Sequence, residues 1–177
     1  MNQEDDAKLA YLMAVNAIQM TKARYCRFVD TKQWDRLRTL FTADCRFEGL
    51  GSAPDRADLD IFIQGISRRL AHVVSVHHCH MGEIELVGAD EAKVIWAMED
   101  HLEWQDSGEV VEAPGNRGFR GYGHYEECYV RQGDTWKISL LRLTRLGIHP
   151  IPDAQPRLGT GRLGANPDWL PSDRRLR

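Results

Sequence analysis

Cysteine is scarce in this chain: Cys26, Cys45, Cys79 and Cys128 stand far apart among 177 residues, and none belongs to a C-x-x-C pair. Disulfides are therefore not expected, and a protein of this length can hold a core without covalent staples. An excess of positive charge is missing as well. Twenty-three Lys and Arg face 26 Asp and Glu, for a formal charge of -3, so no global field draws phosphate backbones, and nucleic acid is not an expected partner. No apolar run approaches the roughly 18 residues that cross a bilayer, and the first residues, MNQEDDAK, are acidic where a secretory or transit peptide is basic. A cytoplasmic protein with no membrane partner is expected. There is no P-loop, heptad pattern, N-x-S/T acceptor or internal repeat, so chemistry must come from side chains that the fold brings together.

What is present suits one globular domain: 42% of the residues are hydrophobic and 28% charged. Residues 5–30 carry Leu9, Leu12, Met13, Ile18, Met20, Tyr25, Phe28 and Val29 at mainly helical spacing behind an acidic first turn, which predicts a long helix. Thr31 is placed to cap a second, shorter helix through Trp34, Leu37, Leu40 and Phe41. A short strand at Cys45–Glu48 and a third helix from Leu59 to Leu70, capped by Asp58, follow. The period then changes from 3.6 to 2, and residues 72–87, 92–104, 118–131 and 135–146 read as four strands of an antiparallel meander. Helices first and strands afterwards define an α+β domain with a curled sheet over the helices, spanning 1–147. Residues 148–177, rich in Pro, Gly and Arg, read as an extended tail packed on its own domain or a neighbour.

Alternation in the third of these five strands puts Val94, Trp96, Met98, Asp100, Leu102 and Trp104 on one side. Asp100 thus falls on an apolar face, where a carboxylate must be paired, hydrogen-bonded or protonated, and this marks a candidate site. The run SVHHCH brings His77, His78 and His80 beside it, and histidine suits proton transfer near neutrality. Parity counted back from Ile84 and Leu86 sends His78 and His80 inward. A bulge at Gly82 reverses that parity and sends His77 inward instead. His78 and His80 at i and i+2 also have a metal-ligand spacing, but the glycines that flank such a pair in cupin-like barrels are lacking, and no metal is expected. Asp30 ends the first helix, where a negative charge gains from a cationic or N–H partner such as a histidine on the sheet. Tyr25 lies five positions earlier. In the last strand, Arg142 and Arg145 lie three apart, so at most one of them points into a cavity to bind a substrate oxygen or carboxylate. The two glycines of GYGHYEECY stand in a strand with no helix after them, which rules out a dinucleotide fingerprint.

These residues resemble a known family. The run VDTKQWDRLRTLF is similar to the helix pair of scytalone dehydratase, and SVHHCHMGEIEL, AKVIWAMED, GHYEECY and WKISLLRLTRL resemble the SnoaL-like group of the nuclear-transport-factor-2-like superfamily, over about residues 8–147. The resemblance implies a cystatin-like cone, a curved mixed or antiparallel sheet around N-terminal helices with an apolar cavity open at one end. It also implies an Asp-His pair, matched by Asp30 and His77, and hence the bulged strand. The Tyr and second Asp of bile acid 7α-dehydratase match Tyr25 and Asp100. This sequence departs from the pattern at Val29 and over residues 47–49, where scytalone dehydratase has its two water-holding tyrosines, and at Tyr25, where hexachlorocyclohexane dehydrochlorinase has Lys. The loop between Trp104 and Phe119 is longer than in the compact members, and it is placed to reshape the cavity mouth.

The implied function is a cofactor-independent lyase of dehydratase type, or an isomerase, acting on a small hydrophobic cyclic or aromatic substrate. His77 removes a proton next to a carbonyl and Asp30 orients it, while Tyr25 and Asp100 act as donors or as a second base. Trp96, Met98, Trp104, His80 and one of Arg142 and Arg145 are expected to contact the substrate. A non-catalytic ligand-binding or assembly subunit, as in ring-hydroxylating dioxygenases, and a polyketide cyclase-like activity are the alternatives. Cone folds commonly pair through the open sheet face, and a homo-oligomer, dimer or trimer, is expected.

Overall fold

A computed structural model describes residues 2–106, 109–159 and 170–176, with side chains in the last stretch described as far as Asp173. Helix α1 (Gln3–Asp30) opens with the Asn2 side chain accepting from the Asp5 N–H at 2.8 Å. Glu4, Asp5 and Asp6 in its first turn suit the positive end of the helix dipole. Its buried face begins only at Ala14, whereas Leu9, Leu12 and Met13, expected to face the core, are exposed. Thr31 ends α1 instead of starting the next helix, because its N–H and hydroxyl both donate to the Arg27 carbonyl, the latter at 2.6 Å. Lys32, at φ 59°, turns the backbone through the left-handed region. Helix α2 is the single turn Trp34–Arg38, and Phe41 belongs to strand β1 (Phe41–Glu48), not to the helix. Helix α3 (Leu59–Arg69) is capped as expected, with the Asp58 carboxylate accepting from the Ile61 N–H at 2.9 Å.

Four long strands complete the sheet: β2 (Val73–Leu86), β3 (Glu91–Trp104), β4 (Gly118–Gln132) and β5 (Thr135–Ile151). Their order is β1-β5-β4-β3-β2, with β1 parallel to β5 and every other pair antiparallel. The open sheet is therefore mixed, and the domain is the α+β cone. Strand β5 runs past Leu146 to Ile151, where pairing with Gly118 extends the ladder into the stretch read as tail. The core lies between the concave side of the sheet and the helices: Ile18, Phe28 and Val29 of α1 and Phe62 of α3 meet Val94, Met98, Tyr129, Ile138 and Leu141.

The β2–β3 register decides which histidine faces inward. Cys79 stands opposite Met98 and Gly82 opposite Trp96, so β2 carries one residue more than its partner between those points. This bulge reverses the parity upstream, setting His77 opposite inward Asp100 and leaving His78 and His80 exposed. Gly82 is needed because a side chain there would run into the Trp96 ring.

Beyond Ile151 the described residues pack on the same domain. The Arg117 guanidinium donates to the carbonyls of Pro152, Asp153 and Pro156, and the Leu158 N–H donates to the Glu103 carboxylate. A terminal 3-10 turn, Pro171–Leu176, docks through buried Asp173 on Arg27 of α1, at 2.7 and 3.1 Å. The part of the tail at 160–169 lies outside the described residues. Among the described residues no helix is long and apolar enough to cross a membrane.

Candidate functional site

Asp30, on the last turn of α1, has three donors where the helix end alone would disfavour its charge. The His77 Nδ1 lies 2.6 Å from Oδ1, the His77 N–H donates to Oδ2 at 2.9 Å, and the Ser75 hydroxyl donates to Oδ1 at 3.0 Å. Ser75 and His77 are two apart on one strand and so share a face. With Nδ1 as the donor to Asp30, Nε2 is the free edge of the imidazole. Lys32 in turn donates to Ser75 at 2.9 Å, and burial lowers its ammonium pKa to about 8, partly opposed by the nearby Asp30 charge.

His77, Tyr25 and Asp100 line one small inner cavity with Leu102, Phe119 and Leu143. Burial pushes the Tyr25 phenol well above its usual pKa despite a hydrogen bond from Tyr125, so it stands there as a neutral donor. Asp100, about 1% exposed, is paired with Arg145 through two bonds, at 2.9 and 2.6 Å. Each carboxylate oxygen accepts one guanidinium bond, so in this structure Asp100 is the partner of Arg145, in place of the expected donor or second base toward substrate. Asp100 instead fixes Arg145. Gly121, opposite Asp100 on β4, leaves the room this requires, since a Cβ there would meet both partners.

The other expected substrate contacts lie elsewhere. Trp96 and Met98 are buried on the predicted face but away from this cavity, and the Trp96 indole donates to Glu127 at 2.9 Å. Trp104 packs on Phe119, with ring centroids 6.0 Å apart, and is not part of the lining. Exposed His80 lies in the bulge, along an open groove of about 720 Å³ between α1 and β2 that Cys26, His78, Trp96 and the other side of His77 also line. Arg142 sits on the outer face, bonded to Glu48 and Glu126. Among the described residues no three His, Cys, Asp or Glu side chains converge as a metal site. Cys26 and Cys79 are free thiols with sulfurs 3.5 Å apart.

Several further residues of the site carry no functional signal in the sequence. Ser75 is the exception, through its shared parity with His77. Tyr125 lines the cavity and borders Tyr25, with centroids 5.8 Å apart. Lys22 is one helical turn before Tyr25 and forms a buried ion pair with Glu127 at 2.5 Å, its ammonium lying 3.5 Å over the Tyr125 ring. Arg69 and Glu112, each 22% exposed, line a partly open side of the cavity and form a 2.5 Å ion pair.

Residues 10–142 match the family model described as SnoaL-like domain. A curated relative from Gibberella zeae named "Probable cyclase FGR4" is 29% identical over 143 residues, covering 75% of this chain and 91% of the relative. Among solved structures, a candidate scytalone dehydratase from Novosphingobium aromaticivorans superposes with a TM-score of 0.68 at 18% identity, over 85% of this chain and 99% of that one. Hexachlorocyclohexane dehydrochlorinase LinA-type3 from Novosphingobium barchaimii superposes with a TM-score of 0.67 at 21% identity, over 86% and 99%. At these identities the two structures speak for the fold.

Proposed function

The chain belongs to the SnoaL-like domain family, and on that premise we propose that it is a cofactor-independent lyase or isomerase that removes a proton next to a carbonyl of a small cyclic substrate. Relatives named for cyclisation, dehydration and dehydrochlorination support an enzyme that converts a small molecule. The observation that carries the finer reading is the 2.6 Å contact between His77 Nδ1 and Asp30 beside a cavity that also holds Tyr25.

In this mechanism His77 Nε2 takes the proton from carbon, and Asp30 stabilises the imidazolium as it forms. The Tyr25 hydroxyl donates to the developing oxyanion, and its own oxygen already accepts from Tyr125. For a hydroxy-ketone, the enolate then expels hydroxide from the neighbouring carbon as the imidazolium returns its proton, releasing water. Without a leaving group the proton returns to a different carbon and the product is an isomer. Arg145, held by Asp100, positions a substrate oxygen. The working unit in this reading is a cytoplasmic homo-oligomer.

The test is deuterium exchange at the carbon next to the carbonyl, followed by NMR in heavy water over a panel of cyclic hydroxy-ketones. His77→Ala should lower the rate about 10²–10⁴-fold with an unchanged melting temperature. Exchange at the wild-type rate in that variant ends the assignment.

A further inference from the structure

The inner cavity has a volume of about 60 Å³. Small-molecule sites start at roughly 300 Å³, so a cyclic substrate enters only by displacing protein groups. Two ion pairs reach into this space, and they are not equally fixed. Asp100 and Arg145 stand on the strands either side of β4, Arg145 beside a bulge in the β4–β5 ladder; two bonds join them, and although the guanidinium is 25% exposed the carboxylate is only 2% exposed. Glu112 lies on the irregular segment between β3 and β4, and both it and Arg69 are 22% exposed.

Arg69 does not depend on Glu112 for its place. It is the last residue of α3, where the helix dipole favours a cation, and its guanidinium lies 5.6 Å from the Trp104 ring centroid. Glu112 is held less completely. Only Oε1 bonds to Arg69, while Oε2 is buried without a hydrogen-bond partner. A neutral ligand that displaced Glu112 would leave a half-buried guanidinium unpaired. A free carboxylate would restore the pair and can take Arg69 through two bonds instead of one.

We infer that Arg69 is an anion subsite at the mouth of the cavity, occupied by Glu112 in the empty protein, and that the substrate is a cyclic ketone bearing a carboxylate that replaces Glu112 on entry. This rests on the inner cavity being the reaction site. Glu112 thereby acts as a latch that a neutral ketone opens poorly, and the anion fixes the end of the substrate remote from His77.

The matched probes are 3-oxocyclohexane-1-carboxylate and its methyl ester, titrated calorimetrically into the full-length protein. The acid should bind about tenfold more tightly than the ester. Glu112→Gln should tighten the acid by about tenfold again and leave the ester little changed, and Arg69→Gln should erase the preference for the acid. Ester affinity and melting temperature identify any variant that has simply lost its fold. Equal affinities for acid and ester in both wild type and Glu112→Gln, or no measurable binding of the acid at all, overturn the inference. His77→Ala separates the two proposals. If it keeps proton exchange while the Arg69 and Glu112 effects hold, the base is wrong and the anion subsite stands. If exchange is lost but acid and ester behave alike, the base stands and the subsite is wrong.

Discussion

Asp30 accepts from an imidazole, a backbone N–H and a hydroxyl, so its orientation is fixed before any substrate arrives. Two residues further on, past the end of the helix, the Lys32 ammonium donates to Ser75 from a half-buried position, with a pKa lowered to about 8 by burial. Because folding lowers this value, the unfolded state holds the proton more tightly. The cost of burying the ammonium is present in full below pH 8 and is relieved as pH rises toward the ordinary value of 10.5. The Lys32 contribution to stability therefore grows between about pH 8 and 10.5. Melting curves of wild type and Lys32→Gly, a residue that accepts φ 59°, should draw apart in favour of wild type across that window. A difference that stays flat with pH counts against the account.

At the scale of elements, α1 and β4 are tied through the core by Lys22 and Glu127, whose side chains are 2% and 0% exposed. Glu127 also accepts from the Trp96 indole and, at 2.6 Å, from the Tyr129 hydroxyl. Lys22→Met removes one partner and strands a buried carboxylate, which should cost about 3–5 kcal/mol, a fall in melting temperature on the order of 10 °C. A shift of a degree or two means that Glu127 is satisfied without the lysine. The same region shows what alternation can and cannot tell. It places Trp96, Met98 and Asp100 on one face, and that face is buried. Period 2 carries no information about depth along the cone, and Trp96 and Met98 lie beyond the reach of the cavity. Asp30 and Tyr25 are legible because each stands on a long helix with a clear period. His77 is legible only once the bulge is taken into account. Glu112 lies on a segment with no period at all, so nothing in the sequence places it against Arg69.

For the whole molecule, the order of helices and strands is readable because the period stays at 2 from residue 72 onward and turn residues separate the strands. The parallel pairing of β1 with β5 is not, since local pattern does not tell a strand which partner it will meet. The outer surface carries Leu9, Tyr11, Leu12 and Met13 on the first turns of α1, between 45% and 64% exposed. Such a cluster is unusual for a surface that meets only water. It supports the proposed homo-oligomer, and light scattering should give a multiple of 20.2 kDa. A mass of a single protomer at working concentration counts against it.

The extra residue of β2 has a consequence for how this strand can change in length across generations. Met81, 96% exposed, belongs to the two-residue stretch facing Ala97 alone. Deleting its codon would close the ladder with Cys79 still opposite Met98 and His77 still opposite Asp100, so the variant should fold and keep proton exchange. Deleting Glu83, on the other side of Gly82, would slip the strand below the bulge by one residue and turn Ile84 and Leu86 outward. One codon can therefore be lost ahead of Gly82 without disturbing the histidine, and the codon just past Gly82 cannot.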